Sequence, residues 1–187
     1  MAMPRMDLPW TVERLERLPD DGNRYEVIDG VLFVTPAPTN THQRALLALT
    51  LLLAPYAKAL GLDLLFAPFA VTFSEHTEVQ PDLGVMPPMP DGTFAEKFTD
   101  VGRLLLAVEV LSPGTQRTDR TTKRDLYQEE EVSEYWIISL DARTVERWRP
   151  DSTEPELLTA TMQWRPLSSH DALAIDLVAY FREVFGE

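Results

Sequence analysis

The chain has 187 residues, of which 44% are hydrophobic and 25% charged, enough for one domain, residues 1–187, with a substantial core. A net charge of -13 opposes a broad phosphate-binding surface, so nucleic-acid contact would have to rest on a local basic cluster. The absence of cysteine excludes a disulfide scaffold, a thiolate zinc site and a cysteine nucleophile.

The first residues, Met1 to Trp10, hold no apolar leader segment. Thr11 caps an expected short amphipathic helix through Leu18, with Val12, Leu15 and Leu18 on one face. Tyr25 to Val34 reads as a β-hairpin, because Asp29-Gly30 separates two apolar runs. Thr39 or Asn40 caps a long helix from His42 to Leu60, stopped by Gly61. It is apolar almost all round, which places it against a sheet, and Pro55 predicts a kink or a second segment. Its apolar stretch, Ala45 to Pro55, is broken by Thr50 and falls short of the roughly 20 residues that span a bilayer. A cytoplasmic protein with no membrane partner is expected.

Strands are expected at Asp63–Ala67, Ala70–Phe73, Val79–Met86 and Leu104–Leu111. A polar helix follows from Thr115 to Glu130, then a hairpin of Tyr135–Leu140 and Thr144–Arg149 turned by Asp141-Ala142-Arg143. Residues 150–170 are less regular, with Leu157–Thr161 as an edge strand, and Asp176–Phe185 closes the chain as a helix. Mixed strands and helices around a single sheet give an α/β, or mixed α+β, fold class.

Two of these strands carry acids. Asp82 follows Pro81 in the first, and Glu109 interrupts the apolar run Leu104–Leu111 in the second. An unpaired carboxylate out of water costs several kcal/mol or takes up a proton, so a positive group is expected between them. One candidate is a divalent cation such as Mg²⁺, which takes one or two carboxylates and completes its shell with water or phosphate. The other is Lys123 on the following helix, as a buried salt bridge. Gln80 shares a strand face with Asp82. Asp119 and Tyr127, four residues to either side of Lys123, share its helical face. His42, at the start of the long helix, is a second-rank candidate for phosphate or metal contact. Residues 117–124 form the densest basic cluster, which reads as a solvated helix face or as a phosphate grip.

The phrases Arg24-Tyr25-Glu26-Val27-Ile28-Asp29-Gly30, Pro81-Asp82, Glu109-Val110-Leu111-Ser112-Pro113 and Glu134-Tyr135-Trp136-Ile137-Ile138 resemble, in order and spacing, the Uma family of candidate bacterial endonucleases. That family lies in the PD-(D/E)xK restriction-endonuclease-like superfamily, and the resemblance covers about residues 10 to 185. It implies a mixed central sheet flanked by helices, with the N-terminal β-hairpin added. It also implies Mg²⁺- or Mn²⁺-dependent hydrolysis of DNA phosphodiesters, and a possible homodimer. Asp82 and Glu109 match the two motif acids and would hold the metal with the Val110 carbonyl. Glu26 matches an additional acid near the metal. The motif lysine position holds Leu111, and Lys123 would replace it from the next helix. Arg117, Arg120 and Arg124 would grip flanking phosphates. Glu131 stands where relatives commonly have a helix-closing glycine, a strained choice if the backbone there needs a positive φ. The rival reading keeps the fold but not the catalysis, as a nucleic-acid-binding or protein-interaction module. A third is hydrolysis of another phosphate ester, which tolerates the acidic surface better than duplex DNA does.

Overall fold

The computed structural model describes residues 9–187, so the reading of the first eight residues lies outside it. Asp29 and Gly30 both have positive φ, 50° and 75°, the turn that the Asp-Gly pair predicts. It joins β1 (Arg24–Ile28) to β2 (Val31–Thr35) in antiparallel register, Glu26 opposite Phe33. Before them, α1 (Val12–Leu15) is capped by Thr11, as expected, but is shorter than the reading through Leu18.

The helix α2 runs unbroken from Asn40 to Ala59, with Thr39 as its cap and Pro55 inside it. Proline removes the bond to the carbonyl of Leu51, but Leu51 is 66% exposed, so water can take that carbonyl. No second segment forms. Nor is the helix buried all round. Ala45, Leu46, Leu49, Leu53 and Ala57 face the core, while Leu47, Leu51 and Leu52 are exposed.

The expected strand Val79–Met86 is two strands in two sheets. A four-stranded sheet has the order β2-β1-β5-β4, with β4 (Val71–Ser74) and β5 (Thr77–Val79). A six-stranded sheet has the order β10-β9-β8-β7-β6-β3. Its members are β3 (Asp63–Phe66), β6 (Leu83–Met86), β7 (Leu106–Val110), β8 (Glu134–Ser139), β9 (Thr144–Trp148) and β10 (Glu156–Leu158). Residues 80–82 carry the chain from one sheet to the other. Pro81 has no N–H for a ladder, and the Gln80 amide bonds the Glu26 side chain instead. The single sheet of the sequence reading is therefore replaced by these two and a third, two-stranded one. That small sheet pairs β11 (Thr161–Trp164), from the irregular segment 150–170, with β12 (Leu173–Asp176), which leads into the closing helix.

The faces of the six-stranded sheet alternate with the strand period. Leu106, Val108 and Val110 join α2 and the closing helix α6 (Leu177–Phe185) in one core. Ala107 faces the other way, into a second core with Ile28, Val79, Leu126, Tyr127 and Tyr135. Glu109 shares that second face by parity. A short α3 (Phe98–Val101) also packs there through Phe98. Trp136 and Trp148 are buried, opposite Arg147 and Tyr135 on neighbouring strands.

The polar helix spans Gln116 to Glu129 in three pieces: α4 (Gln116–Thr118), a π-helical turn (Asp119–Lys123) and α5 (Arg124–Glu129). Glu131, just beyond it, has φ 51°, so a glutamate does hold the left-handed position that favours glycine. Among the described residues, no helix is long and apolar enough to cross a membrane.

Candidate active site

Four carboxylates lie buried around the crossover between the two sheets: Glu26 from β1, Asp82 from the crossover, Glu109 from β7 and Asp119 from the π-turn. Lys123 joins them. Its ammonium lies 2.8 Å from Glu109 Oε1 and 2.8 Å from Glu26 Oε1. Asp119 and Lys123, four residues apart on the π-turn, are both buried on its inner face. Lys123 thus brings an ammonium to the strand face where Leu111 cannot, since Glu109 and Leu111 share that face.

Asp82 is satisfied by a different set of donors. Arg24 Nη1 donates to Oδ1 at 2.8 Å, and the Val110 amide donates to Oδ2 at 2.8 Å. His42 Nε2 lies 3.0 Å from Oδ2. Arg24 and Glu26 stand on the same face of β1, one serving Asp82 and the other Lys123. The Gln80 amide donates to Glu26 Oε1 at 2.7 Å, and its side chain holds the Tyr25 carbonyl.

The electrostatics reflect this geometry. Burial pushes the Asp82 pKa up, but His42, Arg24 and the Val110 amide outweigh it and hold it down at about 2. Burial also pushes up Glu109, and Lys123 only partly offsets it beside Asp82, Asp119 and Glu26, so its pKa lies well above the ordinary value. Asp119 is likewise raised, mainly by burial. Lys123 resists the opposite effect of burial because Glu109, Glu26 and Asp119 surround it, and its pKa is raised. The Tyr127 hydroxyl is buried with no hydrogen-bond partner among the described residues, and burial raises its pKa well above normal.

Asp82, Gln80, His42, Val110 and Arg24 open onto a cleft of about 550 Å³, whose rim includes Thr39, Ser112, Gly114 and Thr115. A second cavity of about 550 Å³ lies beside Glu134, Arg147, Arg149 and Arg165. There Arg147 and Arg149 are held by Glu134 and Glu156, so it is an ion-paired recess.

The structure therefore gathers Glu26, Gln80, Asp82, Glu109, Asp119, Lys123, Tyr127 and His42 into one region. It does not bring the arginine cluster there. Arg120 pairs with Glu146, Arg124 pairs with Asp125 and lies over the Trp148 ring, and Arg117 is exposed; none lines the cleft. Sequence reasoning missed Arg24. The available signal was its place two residues before Glu26 on a strand, which puts both on one face.

The match that decides the family runs through this site: the profile of Uma2, described as "Putative restriction endonuclease", covers residues 12–180. The chain belongs to the Uma2 family. The Uma2 fold is seen again in the crystal structure of "a putative nuclease belonging to DUF820" from Anabaena variabilis ATCC 29413. That chain is 21% identical, with a TM-score of 0.72 over 94% of this chain and 99% of the other. No curated protein matches the chain.

A Uma2 site of this kind was expected to hold a divalent metal. Among the described residues, no three acidic or histidine side chains stand ready as a metal cage. The donor chemistry nevertheless fits a hard cation, which needs only one or two carboxylates. Asp82 and Glu109 supply them, with protein cations now on both.

Proposed function

We propose that the chain is a Mg²⁺- or Mn²⁺-dependent endonuclease that hydrolyses DNA phosphodiester bonds. The observation that supports it best is the buried Lys123–Glu109 pair, within electrostatic reach of Asp82, which itself lines a cleft, in a member of the Uma2 family. Asp82, Glu109 and the Val110 carbonyl would hold the metal, and Glu26 would hold a second ion or its water. Bound there, the metal would act as a Lewis acid on a phosphoryl oxygen and lower the pKa of a bound water.

The chain's own residues have separable tasks. The Val110 amide and His42 orient the Asp82 carboxylate. Lys123 keeps its proton and sets a positive charge beside Glu109, where negative charge would develop at phosphorus. Glu26 fixes Lys123 from the other side. The reading also includes a homodimer, supported by the family resemblance alone, and a cytoplasmic setting, expected from the sequence.

Plasmid and single-stranded DNA, each incubated with Mg²⁺ or Mn²⁺, test the reading beside Asp82→Ala and Glu109→Ala. Cleavage by the wild type and loss of at least about 100-fold in either variant is the expected result. Equal inertness of all three, with no metal binding by calorimetry, rejects it. A second reading draws on Leu111 in the motif lysine position and on Lys123 being held by two glutamates. It is a non-catalytic module of the same fold, or a hydrolase of another phosphate ester. Metal binding that is lost in Asp82→Ala, with DNA untouched, would favour the other ester.

A further inference from the structure

The cleft has a cation other than those of the basic cluster at residues 117–124. Among the described residues lining it, Arg24 is the only arginine or lysine. The rest of its polar rim includes Asn23, Thr39, Gln43, Gln80 and Asp82, with His42 held against Asp82. A phosphodiester entering this cleft therefore meets one guanidinium. The basic cluster at residues 117–124 is turned elsewhere, with Arg120 on Glu146 and Arg124 on Asp125.

Arg24 is built to be held in place. It begins β1, whose pairing with β2 sets Arg24 opposite Thr35, another cleft residue. Its side chain is 20% exposed, against 2% for Asp82 beneath it. One N–H is spent on Asp82 Oδ1 at 2.8 Å. The remaining donors of the planar fork suit the oxygens of a phosphate, which guanidinium can grip with two parallel bonds.

We propose that Arg24 is the phosphate-binding residue of this cleft, anchored on Asp82 and presenting its free N–H groups to a phosphodiester oxygen. The assignment rests on the nuclease reading for the identity of the ligand, but not for its catalysis. Arg24 thereby takes the role first expected of Arg117, Arg120 and Arg124. Its bond to Asp82 also fixes the distance between the bound phosphate and the carboxylate that would hold metal.

The test is binding without turnover. A fluorescein-labelled oligonucleotide, single-stranded and duplex, is titrated in EDTA against wild type, Arg24→Gln, Arg24→Lys and Arg182→Gln. Arg182 is exposed on α6 and outside the cleft, so it controls for net charge. Arg24→Gln should weaken binding about tenfold or more and flatten the salt dependence by about one phosphate contact. Arg24→Lys should restore the salt dependence but not the full affinity, because an ammonium cannot make the bidentate contact. Far-ultraviolet circular dichroism shows whether each variant is folded, and Arg24→Lys keeps a cation on Asp82 if Arg24→Gln does not fold. Wild-type affinity and salt slope in Arg24→Gln, an equal loss in Arg182→Gln, or no saturable wild-type binding overturns the assignment; where Arg24→Gln does not fold, full wild-type affinity in Arg24→Lys overturns it. A cleavage assay run in parallel separates the two readings. Wild-type protein that binds through Arg24 yet does not cut keeps the assignment and rejects the nuclease. Cleavage with an unchanged KM in Arg24→Gln does the reverse.

Discussion

Lys123 Nζ and Glu109 Oε1 lie 2.8 Å apart with both side chains 2% exposed, so a lysine from a π-turn neutralises an acid in the middle of a buried strand. Removing the ammonium leaves Glu109, Glu26 and Asp119 facing one another without it. Lys123→Met should lower stability by about 3–5 kcal/mol in urea denaturation, as expected when one partner of a buried pair is lost. The loss should be larger at pH 8 than at pH 5, because burial raises the Glu109 and Asp119 pKa values and protonation at lower pH relieves the unpaired acids. A change below about 1 kcal/mol would mean that the cluster does not depend on Lys123.

Asp82 gives the opposite pH signature. Its pKa is depressed from 3.8 to about 2, so its contribution is present above pH 3.8 and is lost as pH falls through about 2. Asp82→Asn should therefore cost about 2 kcal/mol at pH 6 and progressively less towards pH 2. Denaturation midpoints of the two proteins at both pH values check this. A gap that stays constant with pH would mean that the bonds from Arg24, His42 and Val110 do not favour the ionised form.

Glu131 holds a φ of 51°, a conformation costly for a residue with a Cβ. Glu131→Gly should raise stability by about 1 kcal/mol, the relief of left-handed strain less the entropy of an added glycine. Thermal melting reads the change. A lower melting temperature would show that the Glu131 side chain contributes more than its backbone strain costs.

Gly84 lies in β6, where an added Cβ would meet the Phe69 ring at 2.6 Å and Leu104 at 3.3 Å. The Phe69 ring, partly buried against the second core, and the buried Leu104 would have to shift, so Gly84→Ala should destabilise by about 1–3 kcal/mol. A double variant with Phe69→Leu should recover part of that loss, and no recovery would place the clash elsewhere.

Much of the site was legible because its residues are anomalies. Glu109 stands out in an apolar strand, and of the two counter-charges expected for it the ammonium of Lys123 is in contact. The Asp29-Gly30 turn and the strained Glu131 obey backbone rules that a sequence carries openly. Other features depend on long-range geometry. A proline and an acid inside Val79–Met86 looked like a decorated strand, and only the pairing of β5 and β6 with different partners reveals a crossover. The π-turn has no signal in a run of Thr, Lys and Arg. Arg24 was overlooked because one arginine beside a turn resembles any surface residue until Asp82 arrives from 58 residues away.

The position of Asp82 on that crossover has one more consequence. Its main-chain amide bonds Val108 in the six-stranded sheet, while its carboxylate is tied by Arg24 to the four-stranded sheet. The residue is a rivet between two plates. Any ligand that draws the Asp82 carboxylate away from Arg24 loosens the seam at the moment it binds, so hydrogen exchange in β1 should report occupancy of the cleft even where no bond is cut.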